Sequence, residues 1–459
     1  MAIGVIWLVQ RFRFSRSNSL PPGPRGLPWI GYTPCLGSQA FDELQRLKSR
    51  YGDVVSFTLF GTTVVLLNTY ETIHEAANNS NRQKLGRYTL TTNHWLAKGF
   101  GISNYDTPRA LELRQALLRH LYGYEDVANY LADDSSPSEL RETVRKEIRQ
   151  LIQTLTLSEA KSVEFLPLAR LIVWNVMWTI VFGRSCEISP AQIKHVLDQI
   201  SRNNKENSML QAIQLFPKQW LFIVDRIPWI QRFLKMDRLY SRYAEVNAVL
   251  RDQLRLHDTK TDNSPKALIN RFRNDRGLDI ERNELERLLF ELMAAGTDTS
   301  SLTLTAACIY LSEQTGPLSR DRFRDHLNHI HRQANVVPLA LPHVAREPIQ
   351  LAGYSIPAHS IVIFNLYAVH QLQLSQICPF SPIPFSVGSR VCPGQRLASK
   401  VIEDIVWALD QHFIVEKGCI EHATNLPNGS VQMKPSQASR GLTRTPKIST
   451  FIFHRRSNS

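Results

Sequence analysis

The sequence predicts a mainly α fold carrying small β-sheets. Three observations carry that expectation. Helical hydrophobic periods dominate from about residue 108 to 313, two short clusters of alternating apolar residues lie before and after them, and 459 residues at 43% hydrophobic and 21% charged content can bury a sizeable core. No internal repeat or long low-complexity tract interrupts the pattern. We expect a short apolar and basic segment over 1–20 and one domain over 21–459.

The chain opens MAIGVIWLVQRFRFSRSNSL, in which only Ala2 to Val9 are apolar before Arg11, Arg13 and Arg16. A spanning helix needs about 20 apolar residues, so this segment either rests in a membrane interface or is a truncated signal anchor. Pro21 to Pro28 form a stiff spacer, because proline fixes φ and pushes its predecessor extended. Phe41, Leu44 and Leu47 mark a helix with one apolar face, and VVSFTLFGTTVVLLNT reads as a hairpin around Gly61.

SPSELRETVRKEIRQLIQTL is a helix with Ser and Pro as cap and first turn. VEFLPLARLIVWNVMWTIVFG is apolar nearly all round, and the Arg170 and Asn175 interruptions favour a buried core helix over a membrane span. The longest helix runs from about Glu281 to Glu313, with Leu285, Leu288, Leu289 and Leu292 on one face. In RDRFRDHLNHIHRQ, Phe323, Leu327 and Ile330 form one apolar face amid Arg and His. REPIQLAGYSIPAHSIVIFN alternates as a second small sheet, and GLTRTPKISTFIFHRR reads as a closing strand pair.

Fifty-four Lys and Arg against 41 Asp and Glu leave a net charge of +13. That balance fits either an acidic partner or solvated helix faces, and the scattered basic residues lack the block of a nucleic-acid arm. The six cysteines (Cys35, Cys186, Cys308, Cys378, Cys392, Cys419) form no CxxC pair and no zinc pattern, which points to a reducing compartment.

One cysteine is chemically placed. In PFSVGSRVCPGQRLA, Gly388 permits a positive-φ turn, Pro393 is preset for the first turn of the helix that follows, and Gly394 removes a side chain beside the sulfur. A thiol at a helix N-terminus is lowered in pKa by the amides aimed at it, so Cys392 is a candidate iron ligand. Arg390 is spaced to offer its fork to a carboxylate on the rim of the bound group. Upstream, Ala295-Gly296-Thr297-Asp298-Thr299 is costly in a helix. A small Ala-Gly step lets a flat macrocycle approach the backbone, and Thr299 can present a hydroxyl to oxygen.

The pattern F-x-x-G-x-R-x-C-x-G, carried by Phe385, Gly388, Arg390, Cys392 and Gly394, resembles the heme loop of the cytochrome P-450 superfamily. AGTDTS, PPGPRGLPWIG, ELRQALL, NVVPLALPHVAR and GLTRTP extend that resemblance towards microsomal animal members. It implies the cytochrome P-450 fold over 21–459, heme (iron protoporphyrin IX) ligated by Cys392, and contact of Ala295 and Gly296 with the macrocycle. Arg114, His343 and Arg390 would meet the heme propionates, and Asp298 and Thr299 would organise proton delivery. It further implies O2, a lipophilic substrate, electrons from NADPH through a reductase, and the cytoplasmic face of the endoplasmic reticulum membrane; no nucleic acid is expected. Two departures stand out. Ala110 occupies the usual tryptophan position of W-x-x-x-R, and His329-Ile330-His331-Arg332 replaces E-x-x-R, while 315–331 and 371–384 are short. A heme binder without turnover is therefore the alternative.

Overall fold

A computed structural model describes residues 20–28, 30–32, 40–78, 83–91, 96, 101–132, 135–158, 161–205, 226–233, 235–259, 266–375, 381–418, 443–446 and 448–456. The N-terminal segment over 1–19, residues 206–225 and Cys35, Cys378 and Cys419 lie outside the described residues.

Helix α1 (Ala40–Tyr51) carries Asp42 and Glu43 in its first turn and Lys48 and Arg50 in its last, matching its dipole. Strands β1 (Val54–Leu59) and β2 (Thr62–Leu67) then pair antiparallel. Their two-residue turn places Phe60 and Gly61 at φ +48° and +80°, the left-handed pair that matches hairpin twist. Next come α2 (Tyr70–Ala77), β3 (Leu85–Arg87), α3 (Pro108–Tyr122) and α4 (Glu125–Ala132). Helix α5 (Glu139–Leu157) corrects the expected cap: Ser138 Oγ accepts the Arg141 N–H at 3.1 Å, and Pro137 precedes the cap. The Asp126 carboxylate already receives the Glu139 and Leu140 N–H groups, so the start is fixed two residues later than Ser136 and Pro137 would set it.

After β4 (Val163–Glu164), α6 (Phe165–Phe182) is the one described helix long and apolar enough to span a membrane, and 67% of it is buried. Its polar residues are answered internally. Arg170 Nη2 meets Asp298 Oδ1 at 2.9 Å, and Asn175 Nδ2 donates to Glu147 Oε2 at 2.9 Å. Helices α7 (Pro190–Lys205), α8 (Pro228–Phe233), α9 (Met236–Thr259) and α10 (Leu268–Arg273) follow. The central α11 (Arg282–Leu311) opens with a Glu281–Glu284 capping box and packs along α6. Then come α12 (Phe323–Ala334), β5 (His343–Ala345), β6 (Ile349–Leu351), β7 (Tyr354–Ile356), β8 (Ile361–Phe364), α13 (Leu366–Ser375), α14 (Gln395–His412), β9 (Phe413–Lys417) and β10 (Thr450–Arg455).

The predicted second sheet divides. Only β6 and β7 form a separate hairpin, whereas β8 enters the first sheet, which runs β1-β2-β8-β5-β3 with β2 and β8 parallel. The reason is burial on both faces. Val64 to Leu67 and Ile361 to Phe364 are continuous apolar runs, which suit central strands. Val65, Leu67, Val362 and Phe364 serve one core, and Val64, Leu66, Ile361 and Ile363 the other. The closing pair is also corrected. Strand β10 pairs with β9, which directly follows α14, and with β4. The main core is helical and is built from α3 to α6, α11 and α14.

Candidate functional site

The cysteine loop is drawn tight by two left-handed residues, Ser386 at φ +64° and Gly388 at φ +78°. A Cβ on Gly388 would collide with Ala77 of α2, so the glycine is required by space as well as conformation. The Cys392 N–H donates to Phe385 O at 2.9 Å, closing the loop, and the Phe385 ring meets the His331 ring edge-on at 5.4 Å. Gly394 caps α14 and Pro393 precedes it, so proline ends the loop and does not enter the helix as expected. A Cβ on Gly394 would sit 3.9 Å from Cys392 Sγ.

The thiol departs from expectation in one respect. Burial raises the Cys392 pKa, while the Gly394 N–H and the Arg114 charge pull it down. Desolvation of the anion outweighs the helix-terminal amides in the protein alone. The half-buried sulfur is a free thiol.

Around this loop stands a buried knot of cations. Arg114 of α3 donates to Val391 O, and Arg390 bonds Asp106, which also accepts from Arg346 Nε at 2.7 Å. Arg87 of β3 was not singled out by its sequence, yet it lies within the knot: Nη1 donates to Leu341 O at 2.7 Å, and its pKa is pushed down to about 9 by burial and then by Arg390 and Arg114. Arg87 Nη1 also faces His343 Nε2 at 3.4 Å. Guanidinium only donates, and burial drives the His343 pKa well down; Nε2 must therefore accept and Nδ1 carry the proton. His343 Nδ1, Arg87 Nε and Arg390 Nη1 are then buried donors with no acceptor among the described residues. Three buried arginines, Arg87, Arg114 and Arg390, of which only Arg390 bonds the Asp106 carboxylate, with three buried donors to spare, fit a ligand bearing buried anionic oxygens.

The second predicted group lies on α11. Asp298 is buried in its ion pair with Arg170, and Thr443 Oγ1 is 3.5 Å from its Oδ2. Thr299 Oγ1 donates to Ala295 O at 2.7 Å, and Ser301, Thr303 and Thr305 repeat that backbonding. These bonds show how so polar a run stays helical. Ala295 is exposed and Thr299 half-buried in mid-helix, although the flanking turns are buried. A Cβ on Gly296 would stand 2.9 Å from Cε of Met177 of α6, so the glycine leaves room for that side chain. Among the described residues, Asp298 and Thr299 share no hydrogen bond with the cysteine loop.

Comparison with known proteins decides the family. The family model described as cytochrome P-450 matches residues 21–315, well over half of the chain. The chain belongs to the cytochrome P-450 family. Its relatives include cytochrome P-450 2U1 of Rattus norvegicus, 23% identical over 96% of this chain and 91% of that protein. Cytochrome P-450 2C16 of Oryctolagus cuniculus is 23% identical over 92% of this chain and 94% of its own. Cytochrome P-450 18a1 of Drosophila melanogaster is 24% identical over 85% and 80%. The family is one of heme-thiolate monooxygenases, and the thiol, the spare donors and the side-chain-free Gly394 fit heme.

The two departures have distinct surroundings. Ala110 is buried against Tyr105. The His329 ring lies 5.0 Å from the Tyr310 ring, and burial followed by the Arg332 charge holds its pKa down; unlike a carboxylate, an imidazole has no anionic form with which to offset Arg332.

Proposed function

We propose that this chain uses heme bound through Cys392 to insert one oxygen atom from O2 into a lipophilic small molecule. The observation that carries the reading is that Arg87, His343 and Arg390, neighbours beside the loop that presents the thiol, leave Arg87 Nε, His343 Nδ1 and Arg390 Nη1 buried without an acceptor among the described residues. Heme bound there supplies reductive O2 chemistry, with electrons from NADPH through a reductase. Arg87, Arg114, Arg390 and His343 would hold the two propionates, and Phe385, Gly388 and Gly394 would shape the ligand loop. Ala295 would lie against the macrocycle.

Thr299 already donates its proton to Ala295 O, which leaves its oxygen lone pairs to accept from a water or substrate hydroxyl. Asp298, fixed by Arg170, would keep a carboxylate near that step and pass protons inward. A net charge of +13 suits an acidic reductase and an anionic membrane surface, consistent with the cytoplasmic face of the endoplasmic reticulum. The reduced, carbon-monoxide-treated protein should show the red-shifted Soret band of thiolate ligation, and Cys392→Ser should lose it. Identical spectra for both proteins would end the reading.

The neutral His329 beside Arg332 favours a second reading, in which heme is bound but turnover is lost. Thiolate-type spectra without reductase-dependent NADPH consumption would select it, and His329→Glu should then restore consumption.

A further inference from the structure

Helix α14 starts at Gly394, which has no side chain with which to cap it. The first turn satisfies two amides through the backbone: Gln395 N–H reaches Cys392 O at 3.3 Å and Ala398 N–H reaches Gly394 O at 2.8 Å. Arg396 and Leu397 lie between them, and helix geometry gives their N–H groups no partner within the helix. Tyr122, the last residue of α3, fills that place. Its hydroxyl donates to Pro393 O at 2.6 Å, and the Leu397 and Arg396 amides face the hydroxyl oxygen of Tyr122 itself. Its ring is held by packing against the helical core and by the Arg396 guanidinium 5.2 Å above it.

The bond to Pro393 has a second effect. Pro393 C=O and Gly394 N–H belong to one peptide group, and that N–H faces Cys392 Sγ. An amide whose oxygen accepts a hydrogen bond becomes a better donor through its nitrogen, because the two polarise one another. We propose that Tyr122 is a positioning residue for the Cys392 ligand: one hydroxyl caps α14 from another helix and strengthens Gly394 N–H donation to the sulfur. The inference rests on the heme-thiolate reading above. Outer hydrogen bonds of this kind withdraw charge from a ligating sulfur, weaken its donation to iron and raise the reduction potential.

The test compares Tyr122→Phe with Tyr124→Phe, whose ring lies under the Arg271 guanidinium at 4.1 Å. In heme-loaded protein, Tyr122→Phe should raise the iron–sulfur stretching frequency in resonance Raman spectra and lower the reduction potential, while Tyr124→Phe leaves both in place. In the heme-free chain, the Gly394, Arg396 and Leu397 amides should exchange hydrogen at least about tenfold faster in Tyr122→Phe, a rate change set by loss of a local cap. Thiolate-type spectra in both proteins with unchanged frequency and potential would overturn the proposal and leave the heme reading intact. Failure of the parent chain to give a thiolate spectrum would sink the heme reading and the ligand-tuning role together. The cap itself is then judged by exchange, where unchanged rates refute it.

Discussion

Gly388→Ala separates the conformational need of the cysteine loop from its need for space. At φ +78° an alanine costs roughly 1–2 kcal/mol relative to glycine. The added methyl would also stand 2.9 Å from Ala77 Cβ and closer still to the Ala77 carbonyl oxygen, a backbone contact that can yield only if α2 or the loop shifts. Overpacking of that kind costs roughly 1–3 kcal/mol, giving a total loss of about 2–5 kcal/mol. Gly353 provides the reference, since it has the same φ of +78° and open space around its Cβ position. Gly353→Ala should therefore lose only the conformational part, about 1–2 kcal/mol. Urea unfolding of both variants measures the difference, and heme retention should fall only in Gly388→Ala. Equal midpoint shifts in the two proteins would refute the packing argument.

Arg170→Ala should destabilise the chain by about 3–5 kcal/mol because it strands the buried Asp298 carboxylate, whereas Arg170→Met with Asp298→Leu should recover most of that loss in urea unfolding. Arg87→Met should weaken heme retention about tenfold or more, the scale of one charged hydrogen bond, as measured by heme transfer to a scavenger protein. His331 and His370 are buried with pKa values pushed down to about 4 and about 3, mainly by desolvation. As pH falls below about 6.5 the unfolded chain protonates both while the folded chain does not, so stability drops by about 1.4 kcal/mol per pH unit per histidine until the folded values are reached. His370→Gln keeps an acceptor for the Ile383 N–H and should make the urea-midpoint slope between pH 6 and about 4 shallower by one proton. An unchanged slope would show that His370 does not titrate as described.

The cysteine loop was legible because its demands are local: a positive φ at Gly388, a bare backbone at Gly394 and a helix beginning directly afterwards each leave a residue-type signature. The hairpin at Gly61 and the boundaries of α11 follow from local signals in the same way. Strand partners do not. The run at Ile361 declares a buried strand but carries no mark saying that its neighbour is Val64. Arg87 escaped notice because a single arginine in a short strand has no period or motif; its flanking apolar residues, which bury a charge, were the available signal. Gly296 is ambiguous for a related reason. A glycine in a helix announces a close approach without saying what approaches, and Met177 is the neighbour that its missing Cβ would meet.

The parallel pairing of β2 with β8 joins segments about 300 residues apart. At about 5–20 residues per second, a ribosome needs roughly 15–60 s to deliver the second segment after the first. During that interval the inner edge of the nascent β1–β2 hairpin bears Val64 to Leu67 with half of its backbone groups unsealed. The N-terminal sheet of this protein is thus a late product of synthesis, with an apolar strand edge left open until the second segment arrives.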